Sequence, residues 1–265
     1  MLSVIIVYLI LGTCAGILSG LLGIGGGLVI VPMLVASLTW QQIPGQFIMH
    51  LALGTSMATI IFTSVSSFMA HHRRGAVHWA VVRKITLGIL LGTFLGSCVA
   101  AKLSGPFLRG TFVVFLYYVA FQMITSKKPK PSRHLPGNAG MFGVGNIIGG
   151  VSSLVGIGGG TLSVPFMMWC NIPVHEAIGT SAAIGFPIAI AGTIGYIYNG
   201  THAVGLPAYS LGYVYLPALA GIVLASIFTA PLGVRLAHSL PVPKLKRIFA
   251  ILLLVVATRM LISLF

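Results

Sequence analysis

The chain has 265 residues, of which 57% are apolar, and it carries 15 Lys and Arg residues but only one Asp or Glu. Soluble domains contain about a quarter charged residues, whereas this chain contains 6%. Together with a mean hydropathy of +1.05, this composition excludes a soluble globular protein. It predicts an all-α polytopic membrane protein with room for roughly 8 to 10 segments of about 20 apolar residues.

Ten apolar segments, five in each half of the chain, are the predicted helices. The first segment lacks the basic leader and small-residue cleavage site of a signal peptide, so we expect it to remain in the membrane. The second and seventh are too short to span a bilayer comfortably, which makes them candidates for half-helices or re-entrant elements. The segments cover residues 2–22, 25–38, 46–70, 85–101, 108–126, 138–155, 158–171, 176–198, 209–233 and 246–265.

Two motifs occur once in each half of the chain. Gly16–Pro32 reads GILSGLLGIGGGLVIVP, and Gly149–Pro165 reads GGVSSLVGIGGGTLSVP, so that the glycine runs and the prolines align without a gap. Further along, HLALGTS at His50–Ser56 matches HEAIGTS at His175–Ser181. Membrane transporters are often built from two copies of one unit, and these matches predict such a duplication.

A third match, between the GILL run at Gly88 and the GIVL run at Gly221, follows in the same order. The three matches divide the chain into a first transmembrane repeat at 1–126 and a second at 134–265. Between them, residues 127–133 read KKPKPSR. This composition is typical of a cytoplasmic linker.

The basic residues punctuate the apolar runs instead of forming a stripe along one helix. This placement follows the positive-inside bias and argues against nucleic acid as a partner. The loop at 71–84 carries four basic residues and its repeat mate at 199–210 carries none, which predicts two inverted-topology repeats. We then expect a protein of the bacterial inner membrane, with both termini outside and the linker on the cytoplasmic side. The basic clusters are Arg73, Arg74, Arg83 and Lys84; Lys127, Lys128, Lys130 and Arg133; and Arg235, Lys244, Lys246 and Arg247.

The glycine runs are candidate anion-binding elements. Broken helices at membrane depth are tolerated where they are buried in protein or line a wet cavity, so we expect the two breaks to meet near the bilayer midplane. The helix that follows each break would offer free N–H groups and a favourable dipole to an anion. The alternative is that the glycines only permit close helix packing.

The hydroxyls of the two GTS motifs are candidate anion donors, although Ser and Thr in membrane helices often bond back to the carbonyl one turn earlier. The candidate substrate-binding residues are Gly23, Gly25, Gly26, Gly27, Thr55, Ser56, Gly156, Gly158, Gly159, Gly160, Thr180 and Ser181. For proton coupling the candidates are His50, His175 and Glu176, the single acid. Their alternative roles are interfacial histidines and a carboxylate that complements a helix dipole.

Catalytic chemistry is not indicated by any motif. The glycine runs lack the Lys-Ser/Thr pair of a phosphate-binding loop. One carboxylate leaves no acid–base pair, no catalytic triad and no carboxylate metal cluster. Cys14, Cys98 and Cys170 share no metal-ligand or redox spacing. We therefore expect no enzymatic activity, no cofactor and no metal site.

Two further motifs are RRGAVHW at Arg73–Trp79 and GVRLAHSLP at Gly233–Pro241. Together with the paired GIGGG-x-x-x-VP and A-x-GTS elements, they resemble the TauE/SafE family of sulfite and sulfonate exporters. The resemblance covers nearly the whole chain. It implies a membrane permease for small anions, with members associated with sulfite, sulfoacetate or related sulfur compounds.

The residues and the resemblance together predict an exporter of small anions, with sulfite or organosulfonates as the first candidates. Transport would proceed by alternating access around a midplane site. An anion channel of the same architecture and a non-transporting membrane scaffold are the alternatives. The expected partners are the small anionic substrate and membrane lipid, with a homodimer as an option and without nucleic acid.

Overall fold

The computed structural model describes residues 2–22, 26–125, 134–239 and 242–263. Within these ranges the chain forms ten α-helices and one short β-hairpin, which confirms the all-helical expectation. In chain order the elements are α1 (Leu2–Leu22), α2 (Gly27–Trp40), α3 (Gly45–Arg73), α4 (Trp79–Lys102), α5 (Gly105–Thr125), α6 (Asn138–Val155), α7 (Gly160–Trp169), α8 (Val174–Gly200), β1 (Ser210–Leu211), β2 (Val214–Tyr215), α9 (Leu216–Ser239) and α10 (Val242–Ile262).

Four helices within the described ranges, α3, α4, α5 and α8, are long and apolar enough to cross a membrane. Their burial separates an inner pair from an outer pair. The apolar stretches of α3 and α8 are 78% and 67% buried, against 44% and 39% for α4 and α5. Helices α3 and α8 pack on each other at the centre, and α4 and α5 leave large apolar side chains such as Leu87 and Phe121 exposed.

Three further helix pairs join the two halves of the sequence. Helix α1 packs on α9, α4 packs on α6, and α5 packs on α10. Glycines permit the close approach, as is common between membrane helices. A Cβ atom at Gly12 of α1 would lie 2.7 Å from the carbonyl oxygen of Ile222, and one at Gly145 of α6 would lie 2.6 Å from that of Ile85.

These two glycine contacts correct one of the sequence matches. Gly12 and Gly145 are equivalent positions in the two halves, so their contacts make Ile222 of α9 the counterpart of Ile85 in α4. Aligning Gly88 with Gly221 would instead place these helices one turn apart in register. Under the alignment of Gly12 with Gly145, the match of Gly88 with Gly221 is offset by one turn, because short GI-x-L runs recur along apolar helices and do not fix a register.

Two predicted segment boundaries are also wrong. Helix α4 begins at Trp79 instead of residue 85 and includes Arg83 and Lys84, because basic residues are good helix formers and continue the helix beyond its apolar stretch. The segment at 209–233 begins too early. Residues 210–215 form the hairpin of β1 and β2, with Ser210 paired to Tyr215 and Gly212 at a φ of 55°, and α9 begins only after it.

Candidate functional site

Helices α2 and α7 both begin directly after a glycine in a left-handed conformation. Gly26 precedes α2 with a φ of 76°, and Gly159 precedes α7 with a φ of 74°. Residues with a side chain rarely adopt this backbone, which explains the glycines at these positions. Helix α2 has 14 residues and α7 has 10, so each is shorter than the about 20 residues of a membrane span.

The first turns of the two short helices have the same hydrogen bonds. The N–H groups of Val29 and Ile30 donate to the carbonyl oxygen of Gly26 at 3.0 and 2.9 Å, and those of Leu162 and Ser163 donate to Gly159 at 3.1 and 2.9 Å. The N–H groups that precede these donors have no carbonyl partner within the helix. Each helix therefore presents the amides of its first turn and the positive end of its dipole at the glycine break.

The described parts of the two glycine runs touch each other. A Cβ atom at Gly27 would lie 2.6 Å from the carbonyl oxygen of Gly156 and 3.0 Å from the Cα atom of Ile157. The Ser56 hydroxyl, fully buried in α3, donates to the same Gly156 oxygen at 2.8 Å. Two of the candidate residues, Gly23 and Gly25, lie outside the described residues.

The second break, at Gly156–Gly160, is held between the two central helices, α3 and α8. A Cβ atom at Gly158 would lie 3.3 Å from the side chain of Ile60 in α3 and 3.9 Å from the Cα atom of Gly185 in α8. Gly156 to Gly159 are buried, and Gly160 is half-buried. The break is therefore enclosed by protein and shielded from lipid, as non-helical backbone at membrane depth requires.

The threonines of the GTS motifs bind loop backbone from the opposite half of the chain. The N–H of Tyr215, just before α9, donates to the Thr55 hydroxyl oxygen at 2.9 Å. In the other half, the N–H of His78, just before α4, donates to Thr180 at 2.8 Å. Both threonines are fully buried. Each threonine thus accepts a hydrogen bond at the start of another helix. This contact differs from the expected alternative, a hydrogen bond to the carbonyl group one turn earlier in the same helix.

The glycines of the same motifs make the matching backbone contacts. A Cβ atom at Gly54 would collide with the carbonyl oxygen of Tyr213, and one at Gly179 would collide with that of Ala76. The loops that enter α9 and α4 thus lie directly on α3 and α8. The GT pairs lock the two halves of the chain together.

The serines of the motifs face the second break and α7. Ser181 of α8 accepts a hydrogen bond of 2.8 Å from the hydroxyl of Ser163 in α7, whereas Ser56 donates to Gly156. Two further hydroxyls lie beside this break, those of Ser152 in α6 and Thr161 in α7, and neither was among the candidates from the sequence. Ser152 could have been found there, because it aligns with Ser19 in the duplicated glycine motif.

His50 lies in the second turn of α3 and is buried against the end of α4. Its Nδ1 lies 3.1 Å from the carbonyl oxygen of Gln46, and its Nε2 lies 3.2 Å from that of Ala100. The ring packs on Tyr213 with a centroid distance of 5.0 Å. A neutral imidazole has one N–H and can satisfy one of these carbonyls, whereas the imidazolium satisfies both.

The other two proton-coupling candidates lie at the start of α8. His175 is exposed and Glu176 is half-buried, and Glu176 belongs to the first turn of the helix. A carboxylate there complements the helix dipole. The structure does not bring these two side chains together with His50, which hydrogen-bonds to carbonyl groups of α3 and α4.

The described residues around the second break carry hydroxyl groups and backbone amides and no charged side chains. The hydroxyl-bearing residues are Ser56, Ser152, Thr161, Ser163 and Ser181. Glu176, the single acid of the chain, is at a helix start, and the residues described in the structure hold no group of three or more His, Cys, Asp or Glu that could bind a metal ion. Two broken helices, a buried hydroxyl-lined centre and lipid-facing outer helices together define a multi-pass membrane protein of the transporter type.

Comparison with known proteins identifies the family. Residues 8–260 match the model of the sulfite exporter TauE/SafE family. A protein from Haemophilus influenzae named "Probable membrane transporter protein" is 40% identical over 99% of this chain and 100% of its own length. One of the same description from Methanocaldococcus jannaschii is 29% identical over 91% of this chain and 88% of its own. No solved structure matches significantly.

The chain belongs to the TauE/SafE family, which is a family of membrane transporters and not of enzymes. Its relatives include a "Probable membrane transporter protein" of Bacillus subtilis that is 29% identical over 74% of this chain and 79% of its own length. The protein is accordingly a multi-pass membrane transporter.

Proposed function

We propose that the protein is a carrier for small oxyanions, with sulfite or an organosulfonate as substrate, and that it works by alternating access. The observation that carries this proposal is the meeting of the two helix breaks, where Gly27 lies against Gly156. Amides at the start of a helix, together with its dipole, form a ready-made anion site. The family description, sulfite exporter, supplies the substrate class.

The charges of the chain favour an anion over a cation. Cation sites use carboxylates or rings of inward carbonyls, and this chain has one acidic residue, which lies at the start of α8. The proposed ligands are the backbone amides that follow both glycine runs and the hydroxyl of Ser181, which accepts from Ser163. Ser56 donates its proton to the carbonyl oxygen of Gly156 and therefore holds the second break in shape. Thr55 and Thr180 are not proposed as ligands, because they bind the loops that precede α9 and α4.

The proposed topology is two inverted repeats, residues 1–126 and 134–265, in a bacterial inner membrane. Unequal charge in equivalent loops and the basic linker at 127–133 support a cytoplasmic linker and external termini. The exchanged helix pairs, α1 with α9 and α4 with α6, support a pseudo-two-fold relation between the repeats. In such folds one bundle rocks against the other around a central site.

We propose His50, in preference to His175 or Glu176, as the residue that couples transport to protons. The imidazole of His50 faces two carbonyl oxygens, so a gain or loss of its proton changes the contact between α3 and α4. Among the described residues, neither the exposed His175 nor the first-turn carboxylate of Glu176 has such a hydrogen bond to another helix.

Uptake of labelled sulfite into proteoliposomes tests the function. We expect saturable uptake that sulfite-like anions inhibit, measured with sulfate, thiosulfate, taurine and sulfoacetate as unlabelled competitors and with or without a pH gradient. Acceleration by the gradient that is lost in His50→Gln would support coupling through His50. Unitary currents without saturation would indicate the channel alternative, and absence of flux for every anion would contradict transport altogether.

A further inference from the structure

The two helix starts at the break differ in their side chains. Thr161 and Ser163 in the first turn of α7 align with Leu28 and Ile30 in α2. Leu28 and Ile30 are buried in the apolar core. The backbone of the two breaks is thus alike, whereas the first turn of α7 carries two hydroxyls and that of α2 carries none.

Two hydroxyls beside the start of α7 are buried and have no partner among the residues that the structure describes. Ser152 of α6 is 0% exposed, and Thr161 is 7% exposed. In the described part of the chain neither hydroxyl oxygen has a hydrogen-bond partner. Ser152 Oγ lies 3.4 Å from the position that a Cβ atom on Gly159 would occupy, so it adjoins the residue that caps α7.

Buried hydroxyls of this kind are uncommon, because about nine in ten buried polar groups in proteins are satisfied. A neighbouring hydroxyl of the same helix shows the ordinary arrangement. Ser153, next to Ser152, is also fully buried, and it donates to the carbonyl oxygen of Gly150 at 2.8 Å. Two unsatisfied donors beside one helix start therefore point to an acceptor supplied by a ligand.

We propose that Ser152, Thr161 and the first-turn amides of α7 form the principal oxyanion subsite, so that the substrate binds against the second break and not on the pseudo-two-fold axis. This assignment rests on the proposed function. Each hydroxyl donates to one substrate oxygen, while the amides of Gly160 and Thr161 and the helix dipole stabilise the charge. The apolar start of α2 forms the opposite wall and excludes water.

Sulfite uptake by paired variants tests the subsite. Ser152→Ala and Thr161→Val each remove one hydroxyl, and Ser153→Ala and Thr193→Val are matched controls whose hydroxyls bond to carbonyls of their own helices. We expect each test variant to raise the half-saturating sulfite concentration about tenfold, the usual effect of losing a hydrogen bond to a charged group. The controls should stay near wild type.

A second measurement separates binding from folding and from transport. Thermal unfolding of the purified protein, with and without sulfite, should show a sulfite-dependent rise in Tm for the wild type and a smaller rise for both test variants. Without sulfite the Tm of the test variants should equal or exceed that of the wild type, because they lose unsatisfied donors.

The outcomes distinguish the subsite from the proposed function. Unchanged half-saturation and unchanged sulfite-dependent Tm in both test variants, with an active wild type, would overturn the subsite and leave the carrier proposal standing. A lower Tm without sulfite and unchanged half-saturation would also overturn it, since the hydroxyls would then serve an internal water. A wild type that neither transports nor binds any anion would overturn both.

Discussion

At the scale of single residues, several glycines of this protein are defined by the backbone that lies against them. Gly54 and Gly179 touch the carbonyl groups of Tyr213 and Ala76, each of which belongs to a loop from the other half of the chain. Because a carbonyl on a loop just before a helix start cannot move away easily, even one methyl group is too large. These glycines set the distance between the two halves.

Alanine at Gly54 or Gly179 should therefore destabilise the protein. We expect each variant to lower the free energy of unfolding by about 3 kcal/mol, at the upper end of overpacking costs, because the clash is with backbone. Thermal unfolding in detergent measures this effect. Gly143→Ala is the matched control, since a Cβ atom there has open space in the middle of α6, and it should leave Tm equal or raise it. Equal Tm for all three variants would refute the packing role.

At the scale of secondary-structure elements, the starts of α4 and α9 depend on a threonine from a central helix of the other half. Thr180 accepts the N–H of His78, and Thr55 accepts the N–H of Tyr215. The first N–H groups of a helix lack intrahelical partners, so a side-chain acceptor stabilises its start. The central helices thereby position the outer ones.

Valine at Thr55 or Thr180 has nearly the same shape as threonine and removes the acceptor. We expect each substitution to cost about 1 to 3 kcal/mol of stability, because a buried N–H loses its partner. Thr59→Val is the control, since the Thr59 hydroxyl bonds back to the carbonyl oxygen of Thr55 within α3. Unfolding midpoints in denaturant should separate the test variants from the control; a loss in Thr59→Val as large as in Thr55→Val would argue against the capping role.

At the scale of the whole molecule, neither half of the chain could bury its helices alone. Helix α1 packs on α9 and α6 packs on α4, so each half supplies the partner of the other. Two glycine breaks that touch at the centre complete this exchange. A carrier built in this way can move one set of paired helices against another while the contact at the breaks stays near the substrate.

The inverted topology that we propose predicts opposite sides for two equivalent loops. In a background lacking Cys14, Cys98 and Cys170, Arg74→Cys lies in the α3–α4 loop and His202→Cys in the α8–α9 loop, and both positions are exposed. A membrane-impermeant maleimide should label His202→Cys in intact cells and Arg74→Cys only after permeabilisation, because the basic loop is retained inside. Labelling of both cysteines from the same side would contradict the inverted topology and show that the two repeats are parallel.

The sequence by itself determined the class of protein and most of its helices. Apolar composition, ten apolar segments and the duplicated glycine motif led to an all-helical membrane protein, and the glycine motif led to its family. These features are local, since hydropathy and consecutive glycines act through the solvent and through each residue's own backbone. The same local signals failed at α4 and at 209–215, where the ends of elements depend on neighbouring structure.

Only the tertiary structure decided which residues face each other. It assigned Thr55 and Thr180 to opposite loops and buried His50 between carbonyl groups. Among the described residues it left the hydroxyls of Ser152 and Thr161 without a hydrogen-bond partner beside α7. The contacts of Gly12 and Gly145 also pair Ile222 of α9 with Ile85 of α4, one turn away from the sequence match of Gly88 with Gly221. Such facts depend on the packing of segments far apart in the chain, and a sequence carries no direct record of the distances between them.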